Sequence, residues 1–417
     1  MSSRFNQTLL AILLLMGVVQ AQDWTAWRGP AGNGTVHGAT WNPEALKGGA
    51  KVLWQRQIGS GHAAVAVRGD SLWTVGSRFI DDTTFYDVVY CLNAISGSEY
   101  WRFEYLSQFQ EDPGPGATPV VDGNRLYALG REGQCFCLNA ASGEVIWQRH
   151  LHRERLVKAH AWGFAGSPVI VGHTVLLNLN AHGIALDKHS GDVIWNSRPA
   201  SVEYMSPVVY QAPGRTMAIL GGNKRVHGVD VSTGKVQWIL DWETSSDPVL
   251  VGHRLFLKCS GRSRKGGGLF DLSGSAPRLI WSNPRIKCQF QSYVVVGNYA
   301  YGYGKMIRRS QQYFQCIDIR NGAIAWQVKL PIWGQLIAAD GHLIILEGQG
   351  RLTVLRATPE RFQPVSSAQV VPMQRRSLNV RPRKVREECQ CWTYPVLYNG
   401  KVFCRNSLGM LVCVDIR

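Results

Sequence analysis

The sequence predicts an all-β protein: an eight-bladed β-propeller of four-stranded antiparallel blades, closed by pairing N- and C-terminal strands in one blade. Three observations predict it. An eleven-residue phrase recurs along the chain, a second phrase precedes each copy, and the two ends of the chain each carry half of a copy.

The first phrase reads "CLNAISGSEYW" (91–101), "CLNAASGEVIW" (137–147), "ALDKHSGDVIW" (185–195), "GVDVSTGKVQW" (228–238) and "CIDIRNGAIAW" (316–326). Asn or Asp stands third, Gly seventh (Gly97, Gly143, Gly191, Gly234, Gly322) and Trp eleventh. A looser copy, "FDLSGSAPRLIW", ends at Trp281, and "TVLRATPERFQ" (353–363) holds the place of another without the Gly or the Trp. Trp54, Trp101, Trp147, Trp195, Trp238, Trp281 and Trp326 follow one another at intervals of 43 to 48 residues. A period of that size marks a propeller or another array. Within each phrase, two short alternating runs read as strands with one buried face. Asn or Asp opens the turn by bonding its own backbone ahead, and Gly takes positive φ without steric cost.

The second phrase reads "ATPVVDGNRLYAL" (117–129), "GSPVIVGHTVLLN" (166–178), "SDPVLVGHRLFLK" (246–258) and "TYPVLYNGKVFCR" (393–405), with weaker copies near Ala64, Pro207, Tyr293 and Leu336. Two strands from each phrase make a four-stranded unit, and both series count to eight if 353–363 forms part of its own sheet; otherwise seven blades are expected. The terminal half-copies supply the closure. "CVDIR" (413–417) lacks its last strand, and the segment around Trp54 provides it, so no large sheet edge is left open.

The Ala, Asp, Gly and Trp at 185, 187, 191 and 195 resemble the tryptophan-docking motif of pyrroloquinoline-quinone (PQQ)-type propellers. That family covers quinoprotein alcohol dehydrogenases and the non-enzymatic propeller of the outer-membrane β-barrel assembly machinery. The resemblance spans about residues 50 to 417 and implies that each Trp docks between adjacent blades, a structural role. "DWTAWRGPAGNG" (23–34) is similar to the start of many envelope proteins of this kind and is expected to be an ordered lead-in.

Residues 1–21 read as a cleavable secretory signal: Arg4, then the apolar run "LLAILLLMGVV", then a small-residue end before Gln22. Residues 22–50 form the lead-in and 51–417 the propeller. No later run is long and apolar enough to span a membrane, so an exported, periplasmic or secreted monomer is expected. There is no Cys at the cleavage point to carry a lipid. Cys91, Cys137, Cys316 and Cys413 occupy equivalent strand positions, which favours core residues over bridges. Disulfides among Cys288, Cys389, Cys391 and Cys404 stay open.

The dehydrogenase side of the resemblance implies PQQ, a Ca²⁺ ion, a catalytic Asp and an adjacent-cysteine disulfide. The sequence holds no Cys-Cys pair and no cluster of acids; Glu203 and Asp247 stand alone near the expected mouth. A hard cation needs about six oxygen ligands. His150, His152 and His160 lie in one basic stretch in which no thiolate and no set of carboxylates completes a metal site. "KGGG" (265–268) lacks the spacing of a phosphate loop and reads as a turn. No catalytic residue, metal or cofactor is therefore expected.

Charge and aromatic placement carry the binding expectation. The formal net charge is +16. "RRSLNVRPRKVR" (375–386) holds Arg375, Arg376, Arg381, Arg383, Lys384 and Arg386, and Pro382 interrupts it, so an exposed, mobile loop is expected. "KCSGRSRK" (258–265) adds four basic residues. An anionic partner fits this excess, whether an envelope protein, a glycan or a lipid surface; a merely solvated loop fits it too. Nucleic acid is excluded by compartment. Three positions before each innermost strand stand Gly61, Gly116, Ala165, Tyr204, Ser245, Phe290, Trp333 and Trp392. The four aromatics either fill the channel mouth or form a wall able to stack a sugar or grip an extended peptide. The reading is a non-catalytic binding or assembly scaffold of the bacterial envelope. A PQQ-dependent dehydrogenase and a glycan-binding module are the alternatives.

Overall fold

The computed structural model describes residues 23–417 apart from 81–84, 108–113, 159–162, 201–203, 223, 245, 260–262, 289, 306–311, 374 and 381–382. At 305, 375–380 and 383–388 the backbone alone is described. Seven blades each take four consecutive antiparallel strands. They run Ala66–Arg68 to Glu99–Ser107, Val120–Asp122 to Val145–His150, Val169–Val171 to Val193–Asn196, and Val208–Ala212 to Val236–Leu240. The next three run Val249–Val251 to Arg278–Asn283, Val294–Val296 to Ile324–Leu330, and Gly334–Ala339 to Pro364–Gln369. The degenerate copy at 353–363 thus spans the end of one strand and the turn of a genuine seventh blade. Blade 8 joins Val396–Tyr398, Lys401–Arg405 and Met410–Asp415 to Lys51–Gln57, which lies antiparallel to the last strand with Trp54 opposite Cys413. The two chain ends close the ring as the half-copies predict.

Arg405 reinforces that seam. It is buried in blade 8 and donates to the carbonyls of Gly59, Ala63 and Val75, so one guanidinium ties blade 8 to the approach and second strand of blade 1. At the next seam, Arg131 of blade 2 forms a buried ion pair with Asp87 of blade 1 at 3.0 Å. Removing one partner of such a pair would strand a charge, so the fold depends on both being present.

The repeated phrase works through a bulge and a glycine. In six blades the register between third and fourth strands slips just before the Trp, and the same slip separates Val52 from Trp54 in blade 8. A bulge bends and twists its strand, here beside the Trp that leaves for the next blade. Trp54 Nε1 donates to Ala94 O, Trp147 to Lys188 O, Trp195 to Val231 O and Trp281 to Ile319 O, each in the following blade. The phrase glycine of that next blade is where the ring lands: a Cβ on Gly191 would lie 2.8 Å from Trp147, and one on Gly234 2.6 Å from Trp195. Those glycines also hold φ near +75°, so two requirements converge on one residue.

Trp238 departs from the pattern. The copy that follows it, "FDLSGSAPRLIW", has no glycine in the docking place. Trp238 instead lies over Gly228 of its own blade, whose missing side chain leaves the space, and donates to the Tyr210 hydroxyl at 2.9 Å.

All ten cysteines are buried thiols. Burial pushes the Cys91 and Cys135 thiols up to about 12, which keeps them protonated and poorly reactive. The disulfides left open among Cys288, Cys389, Cys391 and Cys404 are absent.

The basic insertion differs from expectation. Arg375–Val380 and Arg383–Glu388 pair antiparallel as a separate two-stranded ribbon. Its register sets Arg375 opposite Glu388 and Arg376 opposite Glu387, and Leu378 opposite Val385. That register is invisible when only the count of positive charges is read. Arg381 and Pro382 lie outside the described residues.

Candidate functional site

The central channel is built by the residue that precedes each innermost strand. Pro119, Pro168, Pro207 and Pro248 stand just before the innermost strands of blades 2 to 5 and have no N–H to donate, and the residue before each carries a hydroxyl or carboxylate. These side chains accept from the neighbouring blade's backbone in succession. Ala64 N–H donates to Thr118 Oγ1 at 2.8 Å, Thr118 N–H to Ser167 Oγ at 2.9 Å, Ser167 N–H to Ser206 Oγ at 3.0 Å, and Ser206 N–H to Asp247 Oδ1 at 2.7 Å. The resulting girdle satisfies buried donors that a twisted ring cannot pair by sheet ladder. Sequence reasoning missed it, although the signal stood in "ATP", "GSP", "MSP" and "SDP".

The lead-in is more than an approach to the ring. Trp24 pairs with Val67, Val121 N–H donates to Thr25 O, and Thr35–Val36 lies parallel to Ala338–Ala339 as a fifth strand of blade 7. These contacts are made to the innermost strands of blades 1, 2 and 7, so the segment crosses the ring from blade 1 to blade 7. Its middle reaches inward. Trp27 Nε1 donates to Asp247 Oδ2 at 2.7 Å, and the Trp27 ring meets Tyr394 edge-on at 5.0 Å. Arg28, 1% exposed, donates to Tyr293 O and lies over the Tyr394 ring. Buried Lys258 from blade 5 bonds Ser246 and faces the Tyr293 ring; burial is the main cause that lowers its pKa. The 258–265 stretch is therefore not a uniform basic surface.

At one end of the channel, before the innermost strands, the four aromatics meet. Tyr204 and Phe290 are T-shaped with centroids 5.6 Å apart, Phe290 and Trp392 likewise at 6.1 Å, and Trp392 stacks on Trp333 at 4.6 Å and 24°. Blades 4, 6, 7 and 8 thus contribute one continuous row of half-buried rings. On the other side the small residues reflect close approach: a Cβ on Gly116 would lie 2.6 Å from that of Ala165. Ser245 lies outside the described residues.

The ribbon is rooted at this same end. Val371 N–H bonds Gly350 O, Cys391 N–H bonds Gly348 O, and Gly348 N–H bonds Trp333 O at 2.7 Å. Trp392 follows directly. The ribbon begins 42 residues after Trp333 and ends four residues before Trp392, so it is anchored beside both rings.

The remaining candidates resolve into structural roles. His150 and His152 belong to a turn in which Glu154 accepts from Arg149 and from the His150 N–H; His160 is outside the described residues. Lys265 pairs with Asp241, and the glycines after it enter a strand. Among the described residues, no three His, Cys, Asp or Glu side chains are grouped to hold a metal. The PQQ and Ca²⁺ of the quinoproteins do not fit this channel. Asp247, its one described carboxylate near the mouth, has both oxygens committed to Ser206 and Trp27. Trp27 and Arg28 fill the space beside it. Glu203 lies outside the described residues.

Comparison with known proteins agrees with this architecture. A family model described as "Outer membrane protein assembly factor BamB" matches residues 86–328, more than half of the chain. BamB of Yersinia pestis is 22% identical over 258 residues, which cover 57% of this chain and 63% of that protein's length. Among solved structures, BamB from Moraxella catarrhalis superposes with a TM-score of 0.60 at 16% identity, covering 87% of this chain and 98% of that one. The quinohemoprotein alcohol dehydrogenase of Comamonas testosteroni gives 0.66 at 12% identity, over 95% and 80%. Those structural likenesses are likenesses of fold. The eight-bladed ring, its docked tryptophans and the family match together make this chain a member of the outer membrane protein assembly factor BamB family of PQQ-like propellers.

Proposed function

We propose that the protein is a non-catalytic scaffold of the bacterial envelope that engages a partner protein at the aromatic end of its channel. The observation that carries this reading is the continuous row Tyr204, Phe290, Trp392 and Trp333, assembled from four blades. Aromatic side chains supply large contact area at little entropic cost and dominate interface energetics. Membership of an assembly-factor family supports an envelope role, with residues 1–21 as the export signal. The committed carboxylate and filled channel weigh against the dehydrogenase alternative.

A photo-crosslinking residue placed at 290 or 392, expressed in a bacterial envelope, tests this. Crosslinks to one defined envelope protein are expected there and not from position 37 at the lead-in end. Equal labelling from all three positions would sink the assignment of the face. Stoichiometric PQQ and Ca²⁺ binding with dye-linked alcohol oxidation would reverse the scaffold reading itself.

A further inference from the structure

We propose that the groove between the strand Thr35–Val36 and the innermost strands of blades 5 and 6 binds an extended apolar peptide by backbone pairing. This site lies apart from the aromatic row and goes beyond the scaffold reading. In an antiparallel pair, alternate residues turn their N–H and C=O toward the partner strand or away from it. The residue one before the last of an innermost strand turns them away, and the lead-in shows what such a residue takes. Val67 N–H donates to Trp24 O at 2.7 Å, and Trp24 N–H donates back to Val67 O at 2.9 Å. Val121 N–H donates to Thr25 O at 2.9 Å and Ala338 N–H to Gly34 O at 2.8 Å. Trp24 and Thr25 are consecutive, so one extended stretch of chain pairs with two adjacent blades.

Leu250 and Val295 hold the same place in blades 5 and 6, one residue before the last of strands Val249–Val251 and Val294–Val296. Neither has a backbone partner on its free edge among the described residues. Exposure agrees with this difference. Val67, Val121 and Ala338 are at most 5% exposed beside the lead-in, whereas Leu250 and Val295 stay half-buried. Both line a groove of about 290 Å³, together with Val251, Val296 and the strand Thr35–Val36. That volume is at the lower limit of ligand pockets and suits a few residues of chain rather than a folded domain.

The lining decides the occupant. An open strand edge takes up extended backbone from another chain, and the aliphatic walls favour apolar side chains on it. Asp340, the carboxylate of the lining, already accepts from the Gly38 and Ala39 N–H groups, so charge does not select the guest. An acyl chain would leave the Leu250 and Val295 N–H groups without partners. A sugar would find no Trp, Tyr or Phe in the lining to stack on.

Fluorescence anisotropy of the mature chain with a labelled Gly-Thr-Val-Thr-Val amide tests the proposal; the first three residues of the probe copy Gly34–Val36. Saturable binding is expected. The same peptide N-methylated at both valines loses two donors and should bind at least about ten-fold more weakly. Leu250→Pro removes the free N–H at an edge position that tolerates proline and should weaken binding about five-fold, the loss of one neutral hydrogen bond. Val296→Lys puts an ammonium where apolar side chains must enter and should nearly abolish binding; it decides the matter if L250P melts below wild type. Trp392→Ala should bind the peptide unchanged, which separates this site from the aromatic one. Backbone pairing selects little sequence, so labelling from position 37 should be diffuse, unlike that from 290 and 392. Absence of saturable binding, equal affinity for the N-methylated peptide, or full binding by V296K overturns the proposal. Tighter binding of maltohexaose overturns it in favour of a glycan, and self-association that V296K abolishes overturns it in favour of a second copy of this chain.

Discussion

Replacing Trp27 by Phe tests whether the lead-in is a structural part of the ring. The substitution keeps an aromatic edge against Tyr394, 5.0 Å away, and removes the one N–H that Trp27 donates to Asp247. Asp247 is 7% exposed, and its other oxygen is already used by Ser206. The loss thus leaves a buried carboxylate oxygen short of a donor. Hydrogen bonds to charged groups contribute about 1.5–3 kcal/mol, and the stranded acceptor places the expected cost in that range. Trp27→Ala adds lost packing and should cost about 3–5 kcal/mol. Urea melts of the mature chain, read by circular dichroism, supply the measurement. The pairing is isolated by a double-mutant cycle with Asp247→Asn, where a coupling of at least about 1 kcal/mol is expected between residues in direct contact. A loss under about 0.5 kcal/mol for Trp27→Phe, with no coupling, would mean that the segment merely lies against the channel. The lead-in would then not be part of what seals it.

Three further outcomes follow from the same geometry. Trp195→Ala, which empties the Gly234 dock, should destabilise by about 3–5 kcal/mol in denaturant; a loss below 1 kcal/mol would contradict docking between blades. Deleting Cys413–Arg417 removes the strand partners of Lys51, Val52 and Trp54 and the Asp415 pairs with Lys51 and Arg417, so melting should fall far more than for an ordinary tail, and equal melting temperatures would refute the shared blade. Burial, with His182 nearby, pulls His227 down to about 4. The unfolded chain therefore takes up a proton below about pH 6.5 that the folded chain refuses, so stability should fall from pH 6.5 toward 4 and then level off. His227→Gln should flatten that limb, and an unchanged slope in pH-dependent melts would assign it elsewhere.

Much of the ring was legible because its signals are local. The Asn-x-x-x-Gly turn, the alternating runs and the half-copies at 51–57 and 413–417 each encode one strand pair, and repetition multiplies a weak local signal into a firm one. The four aromatics were also within reach, since aligning repeats places equivalent residues at one height in the channel. Trp238 shows the limit: its ring turns back onto Gly228 of its own blade, whereas Trp326 docks forward on Thr358 O although the next copy also lacks the glycine, so the phrase of a Trp does not report where its ring goes.

What the chain determined by itself is the architecture: the four-stranded blade, its repeat along the chain, and how the ring shuts, while the eighth blade needed 353–363 to be seen in its own sheet. Tertiary structure alone decided how the lead-in reaches into the channel and which side chains meet there. The girdle needs Thr118, Ser167, Ser206 and Asp247 to stand one blade apart in space, and Trp27 finds Asp247 across 220 residues of sequence. The same holds for the basic segment, where Glu387 and Glu388 oppose Arg376 and Arg375 only once the strands fold back. Period and alternation are properties of neighbours along the chain. A hydrogen bond across a closed ring, or a register across a hairpin, depends on distances that exist only after folding.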